Sequence, residues 1–213
     1  MTDDKHPPAE TREEPAARRT IPHDELMQLP IVQYRGVIHF IEDEAGLQRA
    51  AREIRSERVV GFDTETRPTF RKGQAHAPSL VQIATSQAAW LFQLARLDCS
   101  AVLAEVFGSE QIIKSGVALG RDLSELQKLF PFNPLQVVDL GEIAKKRGME
   151  QTGLRNLAGL FLGGRITKGS QTSNWAQPTL SAKQQMYAAT DAWVCRELYL
   201  RFEGMGWLAD VKR

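Results

Sequence analysis

Arg58-Val-Val-Gly-Phe-Asp-Thr-Glu65 opens on a β-branched pair, stays apolar as far as Phe62 and ends in two carboxylates. A short apolar run of this kind reads as a buried strand whose last residues leave the core. Side chains alternate across a strand, so Asp63 and Glu65 share one face. Like charges that close are costly unless a cation stands between them. An isolated D-x-E is nevertheless more simply two acids facing water, and on its own it carries no chemistry.

The flanking sequence sets this strand in an α/β pattern. Upstream, Val37, Ile38, Phe40 and Ile41 predict a short strand, with His39 a structural residue inside it, and Glu44 to Arg55 places Leu47, Ala50, Ala51 and Ile54 at helical spacing. Downstream, Ser79 to Ala84 and Ala88 to Phe92 predict two strands joined by the short Thr85-Ser86-Gln87 connection of a hairpin. Helices at Ser100–Phe107 and Ala118–Phe130 then alternate with strands at Ile112–Lys114 and Gln136–Asp139. The remainder is helical: Leu140–Arg147, Leu154–Leu162, and a long helix from Ser181, a good N-cap, to about Phe202. Hairpin strands followed by alternating strands and helices imply a mixed sheet flanked by helices. The longest apparent loops are Pro68–Pro78 and Gly163–Pro178.

At 213 residues, 42% hydrophobic and 25% charged, the chain suits one large domain. Residues 1 to about 25 are rich in Pro, Glu, Arg and Ala with few large apolar side chains, so residues 1–28 are expected to form a flexible tail ahead of a domain spanning 29–213. With 27 Lys and Arg against 26 Asp and Glu, any basic surface has to be local. Cys99 and Cys195 lack the spacing and the neighbouring histidines of a zinc site, and two cysteines make no disulfide framework. No apolar leader or membrane-length stretch occurs, so the expected location is cytoplasmic, with no membrane association.

Two further acidic features join the strand end. Tyr187-Ala-Ala-Thr-Asp191 puts a phenol and a carboxylate one helical turn apart on one face, and Ala188, Ala189 and Ala192 let that helix approach a sheet closely. Asp122 lies near the start of its helix, where capping or the helix dipole explains an acid by itself. Asp139 and Glu142, at a strand-to-helix junction, are read as structural. Together, Asp63, Glu65, Asp122 and Asp191 supply the hard oxygen ligands that Mg²⁺ or Mn²⁺ prefers. Two such cations, roughly 3.5–4 Å apart, suit phosphoryl transfer by in-line displacement.

Phe62-Asp-Thr-Glu65, the Gly116 to Leu126 block with its Asp-Leu-x-x-Leu, and Tyr187-x-x-x-Asp191 resemble the three motifs of DEDDy 3′→5′ exonucleases, in that family's order. The likeness is greatest to the ribonuclease D and Werner-type exonuclease domains, from about Val37 to Phe202. Arg67-Pro-Thr-Phe70, Pro78-Ser-Leu-Val-Gln-Ile-Ala84 and Lys168-Gly-Ser-Gln-Thr-Ser-Asn-Trp175 are similar to it as well. The resemblance implies a ribonuclease H-like fold with a five-stranded mixed sheet between helices, and a hydrolase acting on nucleic acid that has a free 3′ hydroxyl.

It also implies roles. Asp63, Glu65 and Asp191 would bind a first Mg²⁺ or Mn²⁺, with Asp63 bridging to a second that Asp122 helps to hold. Tyr187 would orient the attacking water, since a phenol with an ordinary pKa near ~10 is a poor base at neutral pH. Thr64, through its backbone, together with Lys72, Arg121, Lys168, Trp175 and the wedge candidate Phe70, would contact the substrate. For Lys168 and Trp175 a solvated lysine and a packed ring are the plainer alternatives. The sequence runs only to Arg213 after the last motif, so a lone catalytic domain is expected. Two alternatives stay open: a binding module without turnover, and a diesterase for very short oligonucleotides.

Overall fold

The computed structural model describes residues 18–69 and 76–210. Six strands and seven helices are described, in the order α1 (His23–Gln28), β1 (Val37–Phe40), α2 (Glu44–Arg55), β2 (Val59–Thr66), β3 (Pro78–Ala84), β4 (Ala88–Gln93), α3 (Ser100–Gly108), β5 (Ile113–Gly116), α4 (Leu119–Gln127), β6 (Val137–Asp139), α5 (Leu140–Lys146), α6 (Leu154–Leu162) and α7 (Ala182–Gly204). The strands form one sheet in the order β1-β4-β3-β2-β5-β6. β2, β3 and β4 pair antiparallel, whereas β1 with β4, β2 with β5 and β5 with β6 pair parallel.

Five strands are therefore one too few. That count is the one the resemblance implies; the sequence pattern itself places six strands, and the one expected around Val37 to Ile41 is β1, which lies beside β4. It is only four residues long, and a short edge strand is one way in which natural sheets blunt an edge. The expected tail also reaches too far. Ile21 and Leu26 are buried, and Leu26 on α1 lies against Gly159 of α6.

The sheet is the middle of three layers. Val60, Phe62, Val81, Ile83 and Phe92 face α2, α3 and α4, and together they form the larger core. Val59, Ile113 and Val138 face α5, α6 and α7 on the other side. Each large apolar side chain so buried contributes about 1.5–3 kcal/mol relative to exposure. Among the described residues no helix is long and apolar enough to cross a membrane.

α7 decides where the site forms. Ser181 caps it in a reciprocal pair with Gln184, accepting from the Gln184 N–H at 3.3 Å while its own N–H donates to Gln184 Oε1 at 3.0 Å. The helix then crosses β2 at Gly61, where a Cβ would stand 1.9 Å from the Ala192 carbonyl oxygen and 2.6 Å from the Arg196 nitrogen. Ala188, Ala189 and Ala192 are fully buried along the same contact. Small residues on both partners thus bring the helix backbone onto the strand, two residues before Asp63.

Candidate active site

β2 presents Asp63 and Glu65 on the α7 side of the sheet, and α7 brings Tyr187 and Asp191 over them. Asp122 arrives in the first turn of α4, beside the Thr64 side chain. The α4 start is unusual, because Ala118 takes a left-handed φ of 60° that a residue with a Cβ rarely adopts. Asp139 braces that turn. Its Oδ2 accepts from the Leu119 N–H at 2.9 Å, while Oδ1 accepts from the Gly141 and Glu142 N–H groups at 2.9 and 3.2 Å. One carboxylate therefore caps α5 and ties α4 to it, and the structural reading of Asp139 holds.

Asp139→Ala is expected to cost about 1–2 kcal/mol in urea unfolding and to lower turnover through misplacement of Asp122, with Asp139→Asn losing less. A stability loss near zero would show that α4 is held without this brace.

The four acids feel one another. Burial, then the charges of Asp191 and Asp122, push Asp63 well above the usual carboxylate range, although the Thr64 N–H, 2.9 Å from Oδ1, pulls the other way. Burial and then Asp63, Asp191 and Asp122 push Glu65 up to about 10. Asp191 rises to about 7 through burial, opposed by its interaction with Tyr187. Burial also raises Asp122, against the pull of the Thr64 side chain and the Arg121 charge. The Tyr187 phenol is raised too, first by burial and then by Asp191 and Glu65.

Four acids gathered where burial disfavours their charged forms are in a high-energy arrangement, eased at Asp122 by the Arg121 charge, and divalent cations reverse such shifts. Asp191 Oδ1 is buried and has no protein partner, which leaves an acceptor for such an ion. Among the described residues no three Asp, Glu, His or Cys side chains form a ready-made cage for one ion. The all-carboxylate donor set and the unpartnered Asp191 Oδ1 fit a hard divalent cation, although the side chains do not stand as a closed cage around one.

The substrate candidates separate. Arg121 and Lys168 are exposed, and Arg121 stands beside Asp122. Trp175 is corrected: it is fully buried against Leu80, Leu91, Leu180 and Ala188, its ring 6.0 Å from that of Tyr187, and it offers no face to a groove. It supports the Tyr187 turn of α7 from below. Thr64 is corrected in part, since its N–H is engaged by Asp63 and is not free for a sugar. Phe70 and Lys72 lie outside the described residues.

The sequence reading passed over Gln33, Thr167, Ser170 and Lys183, which line a cavity of about 130 Å³ together with Tyr187 and Asp191. Lys183 precedes Tyr187 by one helical turn, a spacing that could have pointed to it. Cys99 and Cys195 are free and buried.

This arrangement has known counterparts. The exonuclease mut-7 homolog of Aedes aegypti is 29% identical over 188 residues, which are 76% of this chain and 26% of that protein. The crystal structure of the Aedes aegypti Nibbler EXO domain superposes with a TM-score of 0.74 at 25% identity, over 85% of this chain and 94% of that one. Escherichia coli RNase D shares the fold, with a TM-score of 0.69 at 21% identity, over 80% of this chain and 46% of that one. The sheet and its helices are thus ribonuclease H-like. The chain spans less than half the length of curated relatives that it matches, 26%, 42% and 15% of three of them. A model of the 3′-5′ exonuclease domain, a family generally dependent on divalent metal, matches residues 38–207; the chain belongs to that family.

Proposed function

We propose that this chain is a metal-dependent exonuclease that releases nucleoside 5′-monophosphates from the 3′ end of DNA or RNA. The observation that carries this reading is the mutual electrostatic influence of Asp63, Glu65, Asp122 and Asp191 beside Tyr187, each acid lifted from its ordinary range. Family membership and the likeness to nuclease domains support it. Asp63, Glu65 and Asp191 would hold one Mg²⁺ or Mn²⁺, and Asp63 with Asp122 a second. Bound there, the two ions would supply Lewis-acid activation of water and stabilisation of charge on the leaving oxygen.

The protein's own groups do the rest. A phenol whose pKa is raised by burial keeps its proton at neutral pH, so Tyr187 fixes the attacking water by hydrogen bonding and does not deprotonate it. Tyr187 and Asp191 lie one turn apart on α7, so the helix itself keeps ring and carboxylate in one register. Arg121, next to Asp122, and Lys168 are both exposed and would meet phosphate oxygens of the strand.

A time course on matched DNA and RNA oligonucleotides with Mg²⁺, Mn²⁺ or EDTA tests the reading, with a labelled dinucleotide run alongside. Stepwise loss of 5′-mononucleotides from the 3′ end with either cation is expected. Binding without turnover on every substrate would overturn it, and turnover confined to the dinucleotide would redefine the enzyme as a short-oligonucleotide diesterase. Tyr187→Phe is expected to lower kcat about 10²-fold with little change in KM. An unchanged kcat would remove the phenol from the reaction.

A further inference from the structure

Gln82 lies at the middle of β3, directly opposite Asp63 on β2 and Leu91 on β4. Directly opposed residues point to the same face, so its side chain lies on the α7 side of the sheet with the catalytic acids. It is 0% exposed, and neither its Nε2 nor its Oε1 has a hydrogen-bond partner. Two residues earlier on that face, Leu80 packs against Leu91, Trp175, Leu180 and Ala188. A leucine or methionine would therefore fill the Gln82 position without desolvating a carboxamide. A buried amide with both ends open, beside a metal-binding carboxylate, needs a reason other than packing.

We propose that Gln82 is a positioning residue for Asp63: its Nε2–H, unpartnered in this structure, donates to an Asp63 carboxylate oxygen when that carboxylate turns to bind the divalent cation, and so fixes the orientation in which Asp63 holds the ion. This rests on the metal-centre reading above. Cβ atoms of directly opposed residues stand about 4.5–5.5 Å apart, within the reach of a glutamine amide. Asp63 Oδ1 already accepts from the Thr64 N–H at 2.9 Å, and a carboxylate offers about four lone-pair directions, so capacity remains for both Gln82 and a cation. A neutral donor orients the carboxylate without the positive charge by which Lys or Arg would compete with the ion. Ion and amide each hold the carboxylate in the geometry the other requires, so each raises the affinity of the other. Groups that orient metal ligands in this way typically change ion affinity by about 10–100-fold when removed.

The test uses the full chain, with Gln82→Met and Gln82→Leu, and reads Mn²⁺ binding by calorimetry and electron paramagnetic resonance without substrate. The melting temperature is recorded in EDTA. The expected result is Mn²⁺ affinity weakened about 10–100-fold in both variants, with the metal-free protein as stable as wild type or more so, because an unpaired buried amide has been removed. On an oligonucleotide, kcat at fixed Mn²⁺ falls, KM is unchanged, and excess Mn²⁺ restores turnover. Wild-type Mn²⁺ affinity in both variants would overturn the proposal. So would a drop in metal-free stability in both, with ion binding retained in the folded fraction, because that is the signature of a purely structural glutamine. A wild-type protein that binds no Mn²⁺ would overturn the metal-centre reading itself, a failure distinct from either.

Discussion

Asp63→Asn is expected to remove nuclease activity, by roughly 10³ to 10⁵-fold, while making the metal-free protein more stable at pH 9. Asp63 is the acid assigned to both ions, and an amide is a poor ligand for a hard cation. The gain in stability follows from the direction of the pKa shifts. Glu65 is raised from an ordinary 4.5 to about 10 and Asp191 from 3.8 to about 7. Between those limits the folded protein keeps protons that the unfolded chain has released, so stability is fully present below the lower value and lost as pH rises through the upper one. The slope is at most about 1.4 kcal/mol per pH unit for each proton. Asp63 is, after burial, the first cause of the Glu65 shift, and neutralising it relieves part of that loss.

Melting curves in EDTA at pH 5, 7 and 9 are therefore expected to fall steeply with pH for wild type and less steeply for Asp63→Asn. Mg²⁺ should flatten the wild-type profile and leave that of the variant nearly unchanged. If the variant tracks wild type at all three values, the acids do not share one enclosure and the electrostatic argument for a metal centre collapses.

The parts of this molecule that could be read from the chain are those in which local pattern and tertiary role coincide. Glu44–Arg55 and Leu154–Leu162 form helices where their apolar spacing places them, and Ser181 starts α7 because its cap is written in two neighbouring residues. Asp63 and Glu65 needed only strand alternation. The α1 helix is hidden because its six residues bury one side chain, Leu26, whose contact Gly159 is remote in sequence. Trp175 misleads for a related reason. An aromatic ring in a polar loop reads as a groove residue until Leu80 and Leu91, from two different strands, are seen to enclose it. Gln82 is the extreme case. Its neighbour Asp63 is set by the register of the β2–β3 pair, which no local pattern records. A buried ion pair or a cap can leave a mark in spacing, whereas cross-strand opposition leaves none.

Gly61→Ala is expected to be the most damaging single substitution outside the acids, costing about 3–5 kcal/mol and taking activity with it. The added methyl would lie 1.9 Å from the Ala192 carbonyl oxygen and 2.6 Å from the Arg196 nitrogen, and both are backbone atoms of α7 that no rotamer change can move. The strand cannot yield either, since β2 is held by β3 on one side and β5 on the other. Relief comes only by lifting α7 from the sheet, and α7 carries Tyr187 and Asp191. Any folded fraction should thus bind Mn²⁺ weakly even though every acid is intact. Gly204→Ala is the control. It lies at the end of the same helix with open space around its Cβ, so it should be neutral or slightly stabilising, by up to about 1 kcal/mol. Urea unfolding of both variants decides the matter. A Gly61→Ala protein that matches wild type in midpoint and in Mn²⁺ affinity would mean that α7 does not rest on β2 at this point, and that Asp191 reaches Asp63 by some other geometry.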